Sequence, residues 1–138
     1  MKKAIYSFYK TLLTLCLSTF STLGWGQTTD LLFSEYGEGS TGDSKYIEIY
    51  NGTGASINLS NYRLRTGANG AGLSVVISMT GTLANGATWV IGNNSSDVPG
   101  ANQYSGNASW NGDDAIALEK NISGTFVTID VFGVIGND

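Results

Sequence analysis

Apolar residues recur at every second position in several separate stretches of this chain, and that period is the strongest constraint on its fold. Leu73, Val75, Ile77 and Met79 alternate with Ser74, Val76 and Ser78. Val127, Ile129 and Val131 alternate with Thr128 and Asp130, and Ile47 and Ile49 sit among Tyr46, Glu48 and Tyr50. A period of two sends successive side chains to opposite faces of an extended strand, so one face of each stretch is expected in a core. Between the stretches lie Asn51-Gly52, Asn69-Gly70, Asn85-Gly86, Asn111-Gly112 and Ser123-Gly124. Asn and Gly tolerate positive φ, so these pairs are expected to turn the chain between antiparallel strands. Strands are predicted over residues 31–36, 45–50, 61–65, 73–79, 88–92, 114–119 and 125–132, and no stretch after residue 26 carries a sustained helical repeat. Short strands at this spacing predict an all-β, antiparallel sandwich or barrel. The longest connection runs from Asn93 to Asn107 and contains Pro99-Gly100.

The first residues follow a different logic. Lys2 and Lys3 precede an apolar and hydroxylic stretch from Ala4 to Leu23, and small residues follow at Gly24 and Gly26. A basic start, an apolar segment and a small-x-small exit predict a secretory signal peptide over residues 1–26, with Gln27 as the new N-terminus. Lys10 interrupts the apolar part, leaving a run too short for a span of roughly 20 residues. No transmembrane span is therefore expected after cleavage, and a secreted, periplasmic or cell-surface location is.

Removal of residues 1–26 changes the chemistry available. Cys16, the only cysteine, goes with them, and the chain has no histidine. Residues 27–138 are expected to form one domain with no disulfide, no Ser-His-Asp or Cys-His nucleophile and no His/Cys zinc site. Lys45, Arg63, Arg65 and Lys120 face eleven acidic residues there, a net charge of 4 − 11 = −7. A surface so poor in cations lacks the footprint of nucleic-acid binding or of attraction to anionic lipid.

Carboxylates and aromatics supply the candidate sites. Glu35, Glu38 and Asp43 cluster early, and Asp113-Asp114 follow Asn111-Gly112. These oxygens suit solvated turns and strand ends. They also suit a hard cation such as calcium, which takes six to eight oxygen ligands, although neither cluster matches the Asp-x-Asp-x-Asp-Gly loop. Catalysis by a carboxylate pair is the third reading, and it needs a geometry that sequence does not give. Tyr46 and Tyr50 fall opposite Ile47 and Ile49, and with Tyr104 and Trp110 they are candidates for a binding surface suited to sugar stacking or protein contact. The alternative covers both sheet faces in part, with Trp89 in the core.

Four patches together resemble the lamin-tail domain of exported bacterial proteins. Leu32-Phe33-Ser34-Glu35-Tyr36 with Glu38-Gly39-Ser40 leads to Lys45-Tyr46-Ile47-Glu48-Ile49-Tyr50-Asn51. Ile57-Asn58-Leu59-Ser60-Asn61-Tyr62 comes next, then Gly81-Thr82-Leu83-Ala84-Asn85-Gly86-Ala87-Thr88-Trp89-Val90-Ile91. The last is Asn111-Gly112-Asp113-Asp114-Ala115-Ile116-Ala117-Leu118, followed by Ile129-Asp130-Val131-Phe132-Gly133. The resemblance implies an immunoglobulin-like antiparallel β-sandwich. It also implies a noncatalytic accessory module, often joined to secreted hydrolases, with no catalytic residues of its own. Calcium apart, no cofactor is expected, and a protein or cell-surface glycan is expected as partner rather than a small molecule. The family pattern continues into a basic last strand, whereas this sequence ends at Asp138. Either this sequence is a truncated product or fragment, whose missing strand would expose a sheet edge, or the sandwich closes without that strand.

Overall fold

The computed structural model of the protein describes residues 27–39 and 44–136. The expected signal peptide over residues 1–26 and the candidate ligand Asp43 lie outside them. Ten strands follow in order: β1 (Leu32–Glu38), β2 (Lys45–Tyr50), β3 (Ile57–Asn58), β4 (Tyr62–Gly67), β5 (Val75–Ser78), β6 (Thr82–Leu83), β7 (Thr88–Gly92), β8 (Gln103–Tyr104), β9 (Ala115–Ile122) and β10 (Thr125–Phe132). A 3-10 turn at Leu59–Asn61 precedes β4, started by the Asn58 side chain, which accepts from the Ser60 amide. Among the described residues no helix is long and apolar enough to cross a membrane.

Two four-stranded sheets, ordered β1-β2-β7-β8 and β10-β9-β4-β5, pack as a sandwich, with β3 and β6 forming a small third sheet. Ile47, Ile49 and Ile91 from one sheet meet Leu64, Ile77, Ile116 and Leu118 from the other, all buried in one cluster. Each such side chain contributes roughly 1.5–3 kcal/mol on burial, so this shared layer holds the sheets together. The expected period holds best in β2, where Lys45, Ile47 and Ile49 are buried and Tyr46, Glu48 and Tyr50 are half-buried on the other face.

All seven predicted strands are present: those over 45–50, 88–92 and 125–132 keep their predicted ends, and the other four are shifted. Three two-residue strands, β3, β6 and β8, fell in stretches read as connections, because two residues carry no visible period. One pairing departs from the antiparallel expectation: β8 runs parallel to β7, pairing Ile91 with Gln103 and Gly92 with Tyr104. The long Asn93–Asn107 connection exists to make this return.

The expected alternation fails on the two sheet edges. Ile77 and Met79 are buried, but Val75 is exposed and Leu73 lies before β5 begins. In β10 a bulge between Thr128 and Asp130 shifts the register, so Val127 pairs with Lys120 and Val131 with Ala117. Those partners lie three residues apart and face opposite sides of β9. Val127 and Val131 therefore do not share a face, and both are exposed, at 44 % and 38 %.

Candidate interaction surfaces

The outer face of the first sheet collects the first candidates. Glu35 on β1 pairs directly with Glu48 on β2, and Gly37 pairs with Tyr46. The Tyr46 ring lies down over Gly37, where a Cβ would sit inside the ring's contact distance. Only glycine leaves room for that ring. Its hydroxyl donates to Glu35 Oε1 at 2.5 Å, and Ser34 Oγ donates to Glu48 Oε1 at 2.8 Å. Like charges directly opposite are unfavourable, and these two hydroxyls offset part of that cost. The bond to Glu35 raises the Tyr46 pKa above its ordinary value, with desolvation adding to it. Tyr50 follows on the same face, its ring close to Gly52 and Thr28.

Glu38 is used differently. Lys45 Nζ donates to its Oε1 at 2.8 Å and Tyr36 Oη to its Oε2 at 2.8 Å. These hydrogen bonds, Lys45 first and Tyr36 second, hold its carboxyl below the ordinary value. Burial, followed by the bond to Glu38, pushes the Tyr36 hydroxyl well above its usual range. The Tyr36 ring stacks on Phe132 with centroids 4.2 Å apart and meets Trp110 at 6.5 Å, which closes the sandwich where β1 approaches β10.

The Asp113-Asp114 pair separates into two roles. Asp114 is buried: its Oδ1 accepts from the Asn69 amide at 2.8 Å and its Oδ2 from the Asn111 amide at 2.9 Å, tying two loops together. Asp113 is exposed on the turn. Glu38 lies beside this turn, its Oε2 3.9 Å from where a Cβ on Gly112 would sit. Thus Glu38 comes near the Asn111–Asp114 turn, while Glu35 stays on the outer face beside Glu48. Among the described residues, no three carboxylates converge to hold a metal ion.

Of the aromatic candidates, Tyr46 and Tyr50 are half-buried and Tyr104 is 41 % exposed, its hydroxyl donating to the Val98 carbonyl at 3.1 Å. Trp110 must be corrected. It is 1 % exposed, inside the core beside Ala108 and Tyr36, and cannot form part of a binding surface. Its flanking Ser109 and Asn111 are exposed, and that polar setting made a buried ring look like a surface one. Trp89, expected in the core, is half-buried against it.

Sequence reasoning missed the ties that span the whole chain. Asp30 accepts from Tyr62 Oη at 2.7 Å and from Lys120 Nζ at 2.6 Å, joining the lead-in to β1 with β4 and β9. Burial raises the Asp30 pKa, but the bonds from Lys120, Tyr62 and the Leu31 amide together leave it below its ordinary value. On the outer face of the second sheet, Arg63 lies over the Phe126 ring at 3.9 Å and donates to Glu119 at 2.6 Å. No local signal marks partners so far apart in sequence.

Two stacked sheets, a shared apolar layer and side chains tying the loops define an immunoglobulin-like β-sandwich. The sequence pattern of the lamin tail domain matches residues 26–136, and the chain belongs to that family. The domain found in this chain is a noncatalytic one. No curated protein matches the chain.

Proposed function

We propose that this chain is a noncatalytic, extracytoplasmic interaction or tethering module, of the kind attached to secreted hydrolases, with a protein as its partner. The observation that carries this reading is how the acidic residues are spent. Asp30, Glu38, Asp114, Glu119 and Asp130 each hold a loop, a strand or a buried cation in place. Groups so committed serve the scaffold, and an exposed apolar edge on β10 stands where a partner can reach it. Export is supported by the basic start and apolar segment of residues 1–26. Purified protein tested on phosphodiester, phosphomonoester, glycoside and peptide substrates is expected to turn over none of them. Turnover that survives repurification to homogeneity would overturn the reading. N-terminal sequencing of protein recovered outside the cytoplasm is expected to begin at Gln27, and a cytoplasmic protein retaining Met1 would remove the extracytoplasmic part.

One observation favours a second partner class, a cell-surface glycan. The Tyr46 ring lies flat on the outer face with Glu35 and Glu48 beside it and Tyr50 further along. A flat aromatic flanked by hydroxyl acceptors suits a sugar ring. Glycan-array binding that Tyr46→Ala abolishes would support this reading, and an array with no binding would end it.

A further inference from the structure

Four Asn-Gly pairs punctuate the chain, and the fold holds them unequally. The pair matters chemically because glycine leaves its backbone nitrogen unshielded beside the asparagine side chain. That nitrogen, once deprotonated, can attack the side-chain Cγ and close a succinimide ring. Ring closure needs the peptide between the two residues to swing out of its folded position. Its rate therefore follows the cost of opening the local structure, which is set by the bonds that hold the pair.

Three of the pairs are well held. Asn51 is fully buried, and its Nδ2 and Oδ1 are both engaged, with Ala55, Leu83 and Thr53. At Asn85-Gly86 the attacking nitrogen is itself a donor, from Gly86 to the Asn51 carbonyl at 2.7 Å, and Asn85 Oδ1 accepts from the Gly54 amide at 2.7 Å. At Asn111-Gly112 the side-chain amide donates to the carboxylates of Asp113 and Asp114, while the Asp114 amide donates back to the Asn111 carbonyl at 3.0 Å. Two carboxylates beside Gly112 also disfavour the anionic nitrogen that would attack.

Asn69-Gly70 is the exception. Both residues are left-handed, at φ of 50° and 68°, in a turn that the Ala71 amide closes on the Ala68 carbonyl at 2.9 Å. Asn69 is exposed, and among the described residues neither its side chain nor the Gly70 amide makes a hydrogen bond. The other bond at this pair runs from the Asn69 backbone amide to Asp114 Oδ1 at 2.8 Å and leaves the reacting atoms free. Asn69 also carries a Cβ on left-handed backbone, a cost that opening the turn relieves.

We propose that Asn69 is a deamidation site and that its conversion loosens the loop between β4 and β5. The Gly70 nitrogen loses its proton to solvent base and bonds to Asn69 Cγ. The Cγ–Nδ2 bond breaks, the proton returns to the departing nitrogen, and ammonia leaves. Water then adds to one of the ring carbonyls and opens the ring. One opening gives aspartate. The other gives isoaspartate, in which the main chain runs through Cβ and Cγ. That longer main chain breaks the register of the Ala71–Ala68 bond, and the new carboxylate lies in the loop that Asp114 holds.

The test incubates the purified protein in mildly alkaline buffer and maps its peptides by mass spectrometry, with an isoaspartyl methyltransferase to label isoaspartate. The peptide holding Asn69 is expected to convert about tenfold faster than those holding Asn51, Asn85 or Asn111, since each of these has further hydrogen bonds to break. In urea, where those bonds are gone, the four pairs are expected to react at similar rates. Conversion at any other pair that matches or outruns Asn69 in the folded protein would overturn the proposal. So would an Asn69 that stays intact while the unfolded chain reacts, or the same order of rates in urea, since the fold would then not set it. The isoaspartate form, separated by anion exchange, is expected to melt at a lower temperature than the unmodified protein. An unchanged melting temperature would overturn the loosening.

Discussion

Asn51 shows how much one side chain can do in a chain with so little charge. It is fully buried, its Nδ2 donates to the Ala55 and Leu83 carbonyls at 2.8 Å each, and its Oδ1 accepts from the Thr53 amide and hydroxyl. Asn51→Asp keeps the shape and loses both donated bonds, leaving a carboxylate facing two carbonyls. Urea unfolding is expected to show a loss of about 2–4 kcal/mol, since each buried polar group left without a partner costs roughly 1–3 kcal/mol. Trp110→Ala empties a large space in the core and is expected to cost about 3–5 kcal/mol in the same measurement. Both residues were visible in the sequence and both were misread. Asn51-Gly52 looked like a turn with positive φ, yet neither residue adopts one, because the Asn side chain shapes the loop in place of the backbone. The same holds for Asn111-Gly112, where the Asp114 carboxylate organises the turn. Composition identified these as loop residues. It could not say whether side chain or backbone made the loop.

Among the elements, the hairpin joining β9 and β10 was the most legible. Ser123 and Gly124 connect two eight-residue strands at φ of 53° and 91°, the arrangement in which both turn residues are left-handed. Ser is the poorer choice there, and Ser123→Asn is expected to raise thermal stability by a few tenths to ~1 kcal/mol. Gly124→Ala is expected to lower it by about 1–2 kcal/mol, because a Cβ is strained at that φ. Calorimetry of the two variants checks both signs. Central strands such as β2 were legible for a related reason: a neighbour on each side and a core on one face impose a strict period. Edge strands escape that discipline. Among the described residues β5 and β10 have one neighbour each, so Val75, Val127 and Val131 alternate in sequence without alternating in burial. The bulge in β10 inserts a residue that no composition rule announces. The parallel return of β8 is a matter of topology, set by where the Asn93–Asn107 segment docks and not by the two residues that pair.

For the whole molecule, the charged ties predict the shape of the pH profile. Asp30 has a carboxyl below its ordinary value of 3.8, so its contribution is present above that pH and lost as pH falls through the lowered value. Tyr36, Tyr46 and Tyr62 are raised above 10.0 and Lys120 above 10.5. Their contributions are complete below those values and are lost as pH rises through the raised ones. Stability is thus expected to be broad through neutral pH and to fall at both ends. Asp30→Asn should lower stability at pH 7 and converge on the unsubstituted protein in acid, which denaturant titrations across pH would show. The sandwich was legible from sequence, whereas the tie from Asp30 to Lys120 joins residues 90 positions apart and left no trace in any window. The side chains that close β1 against β10 carry one more consequence. Phe33 meets Asp130 and Tyr36 meets Phe132, so the first and last strands run in the same direction past each other. Tension entering ahead of β1 and leaving behind β10 would drag the two strands lengthwise in opposite senses. All their contacts would then bear load at once instead of parting one by one, and a domain pulled that way resists like a lap joint under shear.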